Sequence, residues 1–359
     1  MPMPLVDLYG HEELRERIRR SAQSRSLPAS LLLHGPRGVG KQRLALWIGQ
    51  LLLCERDSPP CGECKACRYV RDLTHPDLHW YFPRPRLKDT EPEIEDVKDD
   101  YREAIAERLE NGGLYPAPSG SEGIFISTVR AIVQEASMTP AMGAGKVFII
   151  GDAERMVPQE GSEFAANAFL KLLEEPPQDT HIILTSSEPG ALLPTVRSRT
   201  SSVRVPLLPE RVVREFVADD AVSDALTRAG VAKSINERTQ LAQGAPGNLF
   251  GDEARSKAMA AARKLLEAAG AANSSARYAA AMASSASGAR GAFTDVLDSL
   301  LVILGERMRA ALHDGNEPRA AAVSRAAEKV GEAKIRAAGN VNPQLITADL
   351  LNDLSAAVR

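Results

Sequence analysis

The stretch Leu31-Leu32-Leu33-His34-Gly35-Pro36-Arg37-Gly38-Val39-Gly40-Lys41-Gln42 runs three apolar residues into a glycine-rich turn that ends in a lysine. The phosphate-binding loop G-x-x-x-x-G-K-[ST] has this form. Its backbone N–H groups cradle phosphates, its lysine reaches the terminal phosphates, and its hydroxyl holds Mg²⁺. Such a loop needs a strand before it and a helix after it. The apolar run supplies the first, and Leu44, Trp47, Ile48, Leu51 and Leu52 at helical spacing supply the second. One letter departs from the pattern: position 42 is Gln. An amide oxygen stands too far from the backbone for a compact octahedral Mg²⁺ site, so hydrolysis is compromised even if nucleotide binds. Gly35, Gly38, Gly40, Lys41 and Gln42 are the candidate nucleotide-contacting residues, in a fold with a weakened site.

All four cysteines follow directly, as Cys54, Cys61, Cys64 and Cys67. The spacing C-x6-C-x2-C-x2-C suits a closed tetrahedral Zn²⁺ site with no open position, which is a structural and not a catalytic arrangement. A pair of disulfides or a redox C-x-x-C are the alternatives. The first seven residues lack a long apolar core, so an oxidising compartment is not expected, and a redox role needs only two cysteines.

About a hundred residues after the loop, Val147-Phe148-Ile149-Ile150-Gly151-Asp152 is a strand ending in an aspartate, the pattern in which a carboxylate orders a Mg²⁺ shell. A water-orienting glutamate should come next. Ala153 stands there instead, and alternation along an extended segment is expected to turn Glu154 away from the water. A helix over Asn167–Glu175 is stopped by Pro176 and Pro177, and the strand His181–Leu184 runs into Thr185, Ser186 and Ser187. Strands alternating with helices predict an α/β fold, a parallel sheet with helices on both faces.

Two regions break the alternation. Residues 84–116 are mostly charged with prolines at the edges, and they read as a solvated surface insertion with a helical stretch from Ile94 to Leu109. Residues 247–317 contain no proline, and Phe293, Val296, Leu297, Leu300, Leu301, Leu304, Met308 and Leu312 form a helical stripe, either core or interface. At 359 residues the chain should hold two or three domains, at roughly one per 100–200 residues. Aromatics at 4% predict aliphatic, helix-rich cores, and a net charge of −3 argues against a surface coated in basic DNA-binding groups. No apolar run reaches the ~18 residues that would span a membrane.

Taken in order, the altered loop at 35–42, the cysteine module at 54–67, Thr74-His75-Pro76-Asp77, Asp152-Ala153-Glu154-Arg155-Met156, Asn167 to Pro177, Ser198-Arg199-Thr200, Gly244-Ala245-Pro246-Gly247, Asn342-Pro343-Gln344-Leu345 and Asp349-Leu350-Leu351 resemble the delta-prime subunits of bacterial DNA polymerase III clamp loaders, in the AAA+ family. The resemblance covers nearly the whole chain except the insertion. It implies a RecA-like nucleotide-binding domain over 1–206, a three-helix lid over 207–252 and a helical collar over 253–359. It also implies a cytoplasmic ring of five with gamma/tau motor subunits and a delta subunit, which loads a sliding clamp on primed DNA. Zinc is then structural, and ATP or ADP binding is weak or absent. Asn248 stands where motor subunits carry a phosphate-sensing arginine. Arg199 matches the family's Ser-Arg-Cys arginine, with Thr200 for Cys, and the resemblance makes it an arginine finger acting on a neighbour's site; Arg197 is the lesser candidate. Two other readings are a motor subunit that hydrolyses ATP itself and a zinc-dependent nucleic-acid-binding module. The few basic residues around the cysteines, Arg56, Lys65 and Arg68, are offset by Glu55, Asp57 and Glu63 and argue against the latter.

Overall fold

Five short strands form the centre of the larger part of the molecule: β1 (Ser30–His34), β2 (Leu78–Tyr81), β3 (Lys146–Ile150), β4 (Thr180–Ser186) and β5 (Ser201–Arg204). Every pairing is parallel, in the order β2-β3-β4-β1-β5. This computed structural model describes residues 5–89, 92–118, 122–142, 145–156, 163–231, 234–271, 274–283, 290–338 and 342–358. Every residue of β3 is buried, so both faces of the sheet are covered, and that is why these strands read as continuous apolar runs. The edge strand β5 is mostly exposed and correspondingly polar.

The chain divides into two compact units, one built from residues before 118 together with Glu122–Gly251, the other from the helices that begin at Asp252. In the first, α1 (Glu12–Gln23) precedes β1, α2 (Lys41–Leu53) follows the glycine-rich turn, and α3 (Lys65–Arg71) carries the last cysteine. The predicted helix after the loop is therefore present, with Leu44, Trp47, Ile48 and Leu51 buried along it.

The insertion departs from expectation. Residues 94–110 form α4 (Ile94–Glu110), which buries Val97, Tyr101, Ala104 and Leu109 in the same core as the sheet. Within 84–116 only residues 90 and 91 lie outside the described residues. The Tyr101 hydroxyl donates to the Phe82 carbonyl at 2.6 Å, and the Arg84 guanidinium grips Asp100 through two bonds of 3.0 and 2.8 Å. A solvated loop is thus the wrong description: the charges line one face of a helix whose other face is core. α5 (Ile126–Ser137), α6 (Glu163–Glu174) and the short α7 (Pro194–Arg197) complete the helices around the sheet.

Helices α8 (Glu210–Ala218), α9 (Asp220–Arg228) and α10 (Ile235–Ala242) gather their own cluster, with Val212, Val213, Phe216, Val222, Leu226 and Leu249 at its centre. In the second unit α11 (Asp252–Gly270), α12 (Ser274–Ala283), α13 (Arg290–His313), α14 (Glu317–Ala338) and α15 (Pro343–Val358) share another. The stripe of α13 is core there: Phe293, Leu297, Leu300 and Leu304 are buried, while Leu312 at its end is exposed. Alanines 326 and 333 of α14 face the same cluster, which lets long aliphatic side chains fill the space between helices. Among the described residues, no helix is long and apolar enough to cross a membrane.

Candidate functional site

Strand β1 delivers the loop to the end of the sheet, and Gly40, at φ 90°, opens α2. Gly35 lies where a Cβ would meet the Val205 carbonyl oxygen at 2.1 Å, so no larger residue fits. The Lys41 ammonium does not project outward. It donates to the carbonyls of Gly35 and Pro36 at 3.0 and 2.8 Å and to the Ser187 hydroxyl at 2.9 Å. Burial pushes its pKa down to about 8, opposed by the carboxylates of Asp152 and Glu154.

Gln42 is held at both ends of its amide. The indole N–H of Trp80 donates to its oxygen at 2.9 Å, and its nitrogen donates to Asp152 Oδ2 at 2.9 Å. An indole nitrogen can only donate, which fixes the oxygen on the Trp80 side and leaves the N–H₂ facing the carboxylate. Gly151 makes room for this, since a Cβ there would lie 2.4 Å from the amide. A divalent cation beside Asp152 would therefore meet a donor where the motif needs an oxygen. These residues do not fit Mg²⁺.

Asp152 sits at φ 47°, and its own N–H donates to the Thr185 hydroxyl at 3.1 Å. Beyond it the chain turns at once into a 3₁₀ helix, Ala153–Arg155, and does not continue extended. Alternation consequently fails, and Glu154 points into the site. Its carboxylate accepts from the Ser187 N–H at 2.9 Å, beside the hydroxyl that Lys41 engages. Burial, then the charge of Asp152, pushes its pKa up, and Oε2 is buried with no hydrogen-bond partner. Ala153 is buried and brings no carboxylate.

The loop is covered from the other side by the 3₁₀ helix Pro246–Leu249. The Gly247 N–H donates to the Gly38 carbonyl at 2.9 Å, and a Cβ on Gly38 would lie 2.7 Å from Asn248 Oδ1. The position expected to lack a phosphate-sensing arginine thus places its amide directly against the loop.

Sequence reasoning did not single out Arg108. This residue of α4 lies over three rings, with Cζ 4.7 Å from the centroid of Trp80, 3.2 Å from Phe82 and 3.6 Å from Tyr115. Burial pushes its pKa down to about 10, and Nη1 has no hydrogen-bond partner. Only the helical stripe beside it, at 94, 97, 101, 104, 105 and 109, hinted that this face turns inward.

The cysteines converge. The four Sγ atoms lie within 4.8 Å of one another, with Cys54–Cys64 at 4.0 Å and Cys61–Cys67 at 3.9 Å. Those separations are far beyond a disulfide bond of about 2.05 Å. They match the roughly 3.8 Å edge of a tetrahedron with metal–sulfur bonds of about 2.3 Å. The N–H groups of Cys64 and Glu63 donate to Cys61 Sγ at 3.3 and 3.4 Å, and these bonds pull its pKa down to about 6, favouring the thiolate a metal needs. Cys64 also caps α3 by accepting from the Cys67 N–H at 3.4 Å. The donor set fits a metal ion.

Arg199 follows α7. Its Nε donates to Glu174 at 3.0 Å and its Nη1 to the Thr195 carbonyl at 3.2 Å, with 30% of the side chain exposed. Arg197 is exposed, and the Thr200 hydroxyl is turned back onto the carbonyls of Val196 and Arg197 at 3.2 Å.

A protein family described as DNA polymerase III, delta subunit, matches residues 10–208. The chain is 32% identical over 217 residues to DNA polymerase III subunit delta' of Pseudomonas aeruginosa, an alignment covering 60% of this chain and 52% of the relative. It is 25% identical over 240 residues to subunit delta' of Bacillus subtilis, covering 64% and 60%. It is also 27% identical over 241 residues to subunit gamma/tau of Mycobacterium tuberculosis, covering 64% and 35%. The matches therefore span about half to three fifths of the delta' relatives' own length. With the parallel sheet, the altered loop and the cysteine cluster in family order, the chain belongs to the delta-prime family of DNA polymerase III subunits.

Proposed function

We propose that this chain is the non-hydrolysing stator of a five-subunit clamp loader, completing a neighbour's ATP site with Arg199 instead of running a site of its own. The observation that carries this reading is Gln42, whose amide nitrogen occupies the face of Asp152 where a catalytic cation would sit. Ala153 removes the water-orienting carboxylate, and Asn248 replaces the phosphate-sensing arginine. The partners are gamma/tau motor subunits and a delta subunit, and the assembly acts on a sliding clamp and primed DNA in the cytoplasm. The chain is divided into the nucleotide-binding-like domain 1–206, the lid 207–252 and the collar 253–359. The cysteine cluster holds one structural zinc, since four thiolates in a closed tetrahedron leave no position for substrate.

Arg199 is suited to its role by what holds it. A partly exposed ion pair is worth about 0–1 kcal/mol, so the guanidinium exchanges Glu174 for a phosphate at little cost. A guanidinium binds phosphate oxygens through parallel bonds and stabilises charge spreading over a transferred phosphoryl, a contribution of roughly 10³–10⁵ in rate. In a complex reconstituted with gamma/tau and delta subunits, Arg199→Ala should leave assembly intact and lower ATPase and clamp loading at the one site this subunit borders. Arg199→Lys should rescue poorly, because a point ammonium lacks the planar fork. Unchanged ATPase and loading in the Ala variant would overturn the assignment.

One observation favours a second reading, a subunit that hydrolyses ATP: Glu154 faces Lys41 and offers a carboxylate one residue beyond the usual position. ATP turnover by the isolated chain above a Lys41→Ala control would support it.

A further inference from the structure

The insertion carries an arginine to a place where a guanidinium has no ordinary reason to be. Arg108 is half-buried against the rings of Trp80, Phe82 and Tyr115, with Nη1 shut off from water, and it makes no salt bridge among the described residues. A chain of contacts joins it to an anion: Arg108 lies on the Trp80 ring, Trp80 donates to Gln42, and Gln42 donates to Asp152. Asp152 is in turn one of the charges that act on Arg108. Both groups are partly withdrawn from water, and the further a charge is withdrawn the more it depends on donors or a counter-charge nearby.

Resting on the non-hydrolysing reading above, we infer that the insertion 84–116 is a plug for the metal side of the degenerate nucleotide site, with Arg108 and Gln42 together serving Asp152 in place of a divalent cation. The geometry accounts for features that otherwise stand apart. A helix with many charged residues buries one face because it delivers a charge inward, and its anchors, Tyr101 on the Phe82 carbonyl and Arg84 on Asp100, lie along the same approach. Trp80 meets both groups at once, its face to the guanidinium and its N–H to the amide. The cation of a hydrolysing enzyme arrives with nucleotide and leaves with it. This one is covalently part of the chain, so the loop is held in one state whatever the nucleotide concentration.

The test uses the full chain and Mg²⁺ alone as probe. The unmodified protein should melt at the same temperature with and without millimolar MgCl₂. Arg108→Met keeps the side chain's length and apolar stem and removes its charge, and Gln42→Thr removes the amide N–H that faces Asp152. Gln42→Thr alone, with Arg108 still in place, should ignore Mg²⁺, whereas Gln42→Thr/Arg108→Met should acquire Mg²⁺-dependent stabilisation of at least about 3 °C, as expected when a ligand fills a newly opened site in a domain of this size. A folded double variant that ignores Mg²⁺, or a Gln42→Thr chain that already shows the full stabilisation, overturns the proposal. Should removal of the charge alone prevent folding, the pair is read by a cycle. Asp152→Asn should lower the melting temperature by leaving the guanidinium uncompensated, and Arg108→Met/Asp152→Asn should recover most of what either change loses. An Asp152→Asn chain as stable as the unmodified one, or strictly additive losses, overturns it. Neither arm involves Arg199 or a partner subunit, so failure here leaves the stator reading to its own experiment in the reconstituted complex.

Discussion

The cysteine cluster and the phosphate-loop site are close in sequence and opposite in kind. At the cysteines, four sulfurs converge within 4.8 Å, and the backbone N–H groups of Cys61, Glu63, Cys64 and Cys67 donate to them. At the loop, donors have already met acceptors: Lys41 on its own carbonyls and Ser187, Gln42 on Asp152, Gly247 on Gly38. One site gathers a donor set that fits a metal ion, and the other pairs the chain's own groups with one another. The contrast teaches that a motif's letters and a site's state are separate questions, since the loop retains every glycine and its lysine while its metal position is filled.

The largest effect should come from the open site. One zinc per chain is expected by metal analysis of purified protein, with binding worth about 10–16 kcal/mol as in small zinc modules. Chelation or Cys64→Ser should cause loss of structure around α3, read by thiol reactivity and a large drop in melting temperature. Protein that is metal-free and stable would erase the contrast altogether.

On the closed side, the anchor of the plug matters most. Tyr101→Ala removes a buried ring that packs against Tyr81 and Phe82 and should cost about 3–5 kcal/mol in denaturant unfolding, whereas Glu103→Ala on the exposed face of α4 should be near neutral. Equal, small effects would return the insertion to a solvated element. Trp80→Phe is subtler. It keeps a ring under Arg108 but removes the donor to Gln42, and leaving that amide oxygen buried and unpaired should cost about 1–3 kcal/mol.

The smallest effect is in pH. Lys41 titrates at about 8 in the folded chain and at its ordinary 10.5 when unfolded. Between those values the unfolded state binds more protons, so stability contributed through this group is reduced below about 8 and recovers as pH rises toward 10.5. Lys41→Met should flatten that rise in urea melts taken across the window. An unchanged slope would mean that the ammonium is better solvated in the folded chain than its burial implies.

Much of this was legible in the sequence because spacing alone encodes it. The loop and its missing hydroxyl, the tetrad of cysteines, the strand ending at Asp152 and the α13 stripe are all patterns of period and position. Glu154 was misread because alternation assumes an extended chain, and the left-handed Asp152 starts a 3₁₀ turn that no residue type announces. The helical stretch of α4 was expected, but its buried face was hidden by its own charges, which outnumber the stripe of Val97, Tyr101, Ala104 and Leu109. Arg108 was illegible for a different reason: its environment consists of rings at 80, 82 and 115, brought together only by the fold.

The backbone bond between Gly247 and Gly38 bears on how such a subunit behaves as part of a machine. It ties the segment that follows the helices at 210–242 directly to the loop at the end of the sheet. Here the joint is already latched. On the stator reading proposed above, such a tie would let a surface presented from one part keep its bearing relative to the other, in the way a surveyor's benchmark stays fixed while every other point is measured from it.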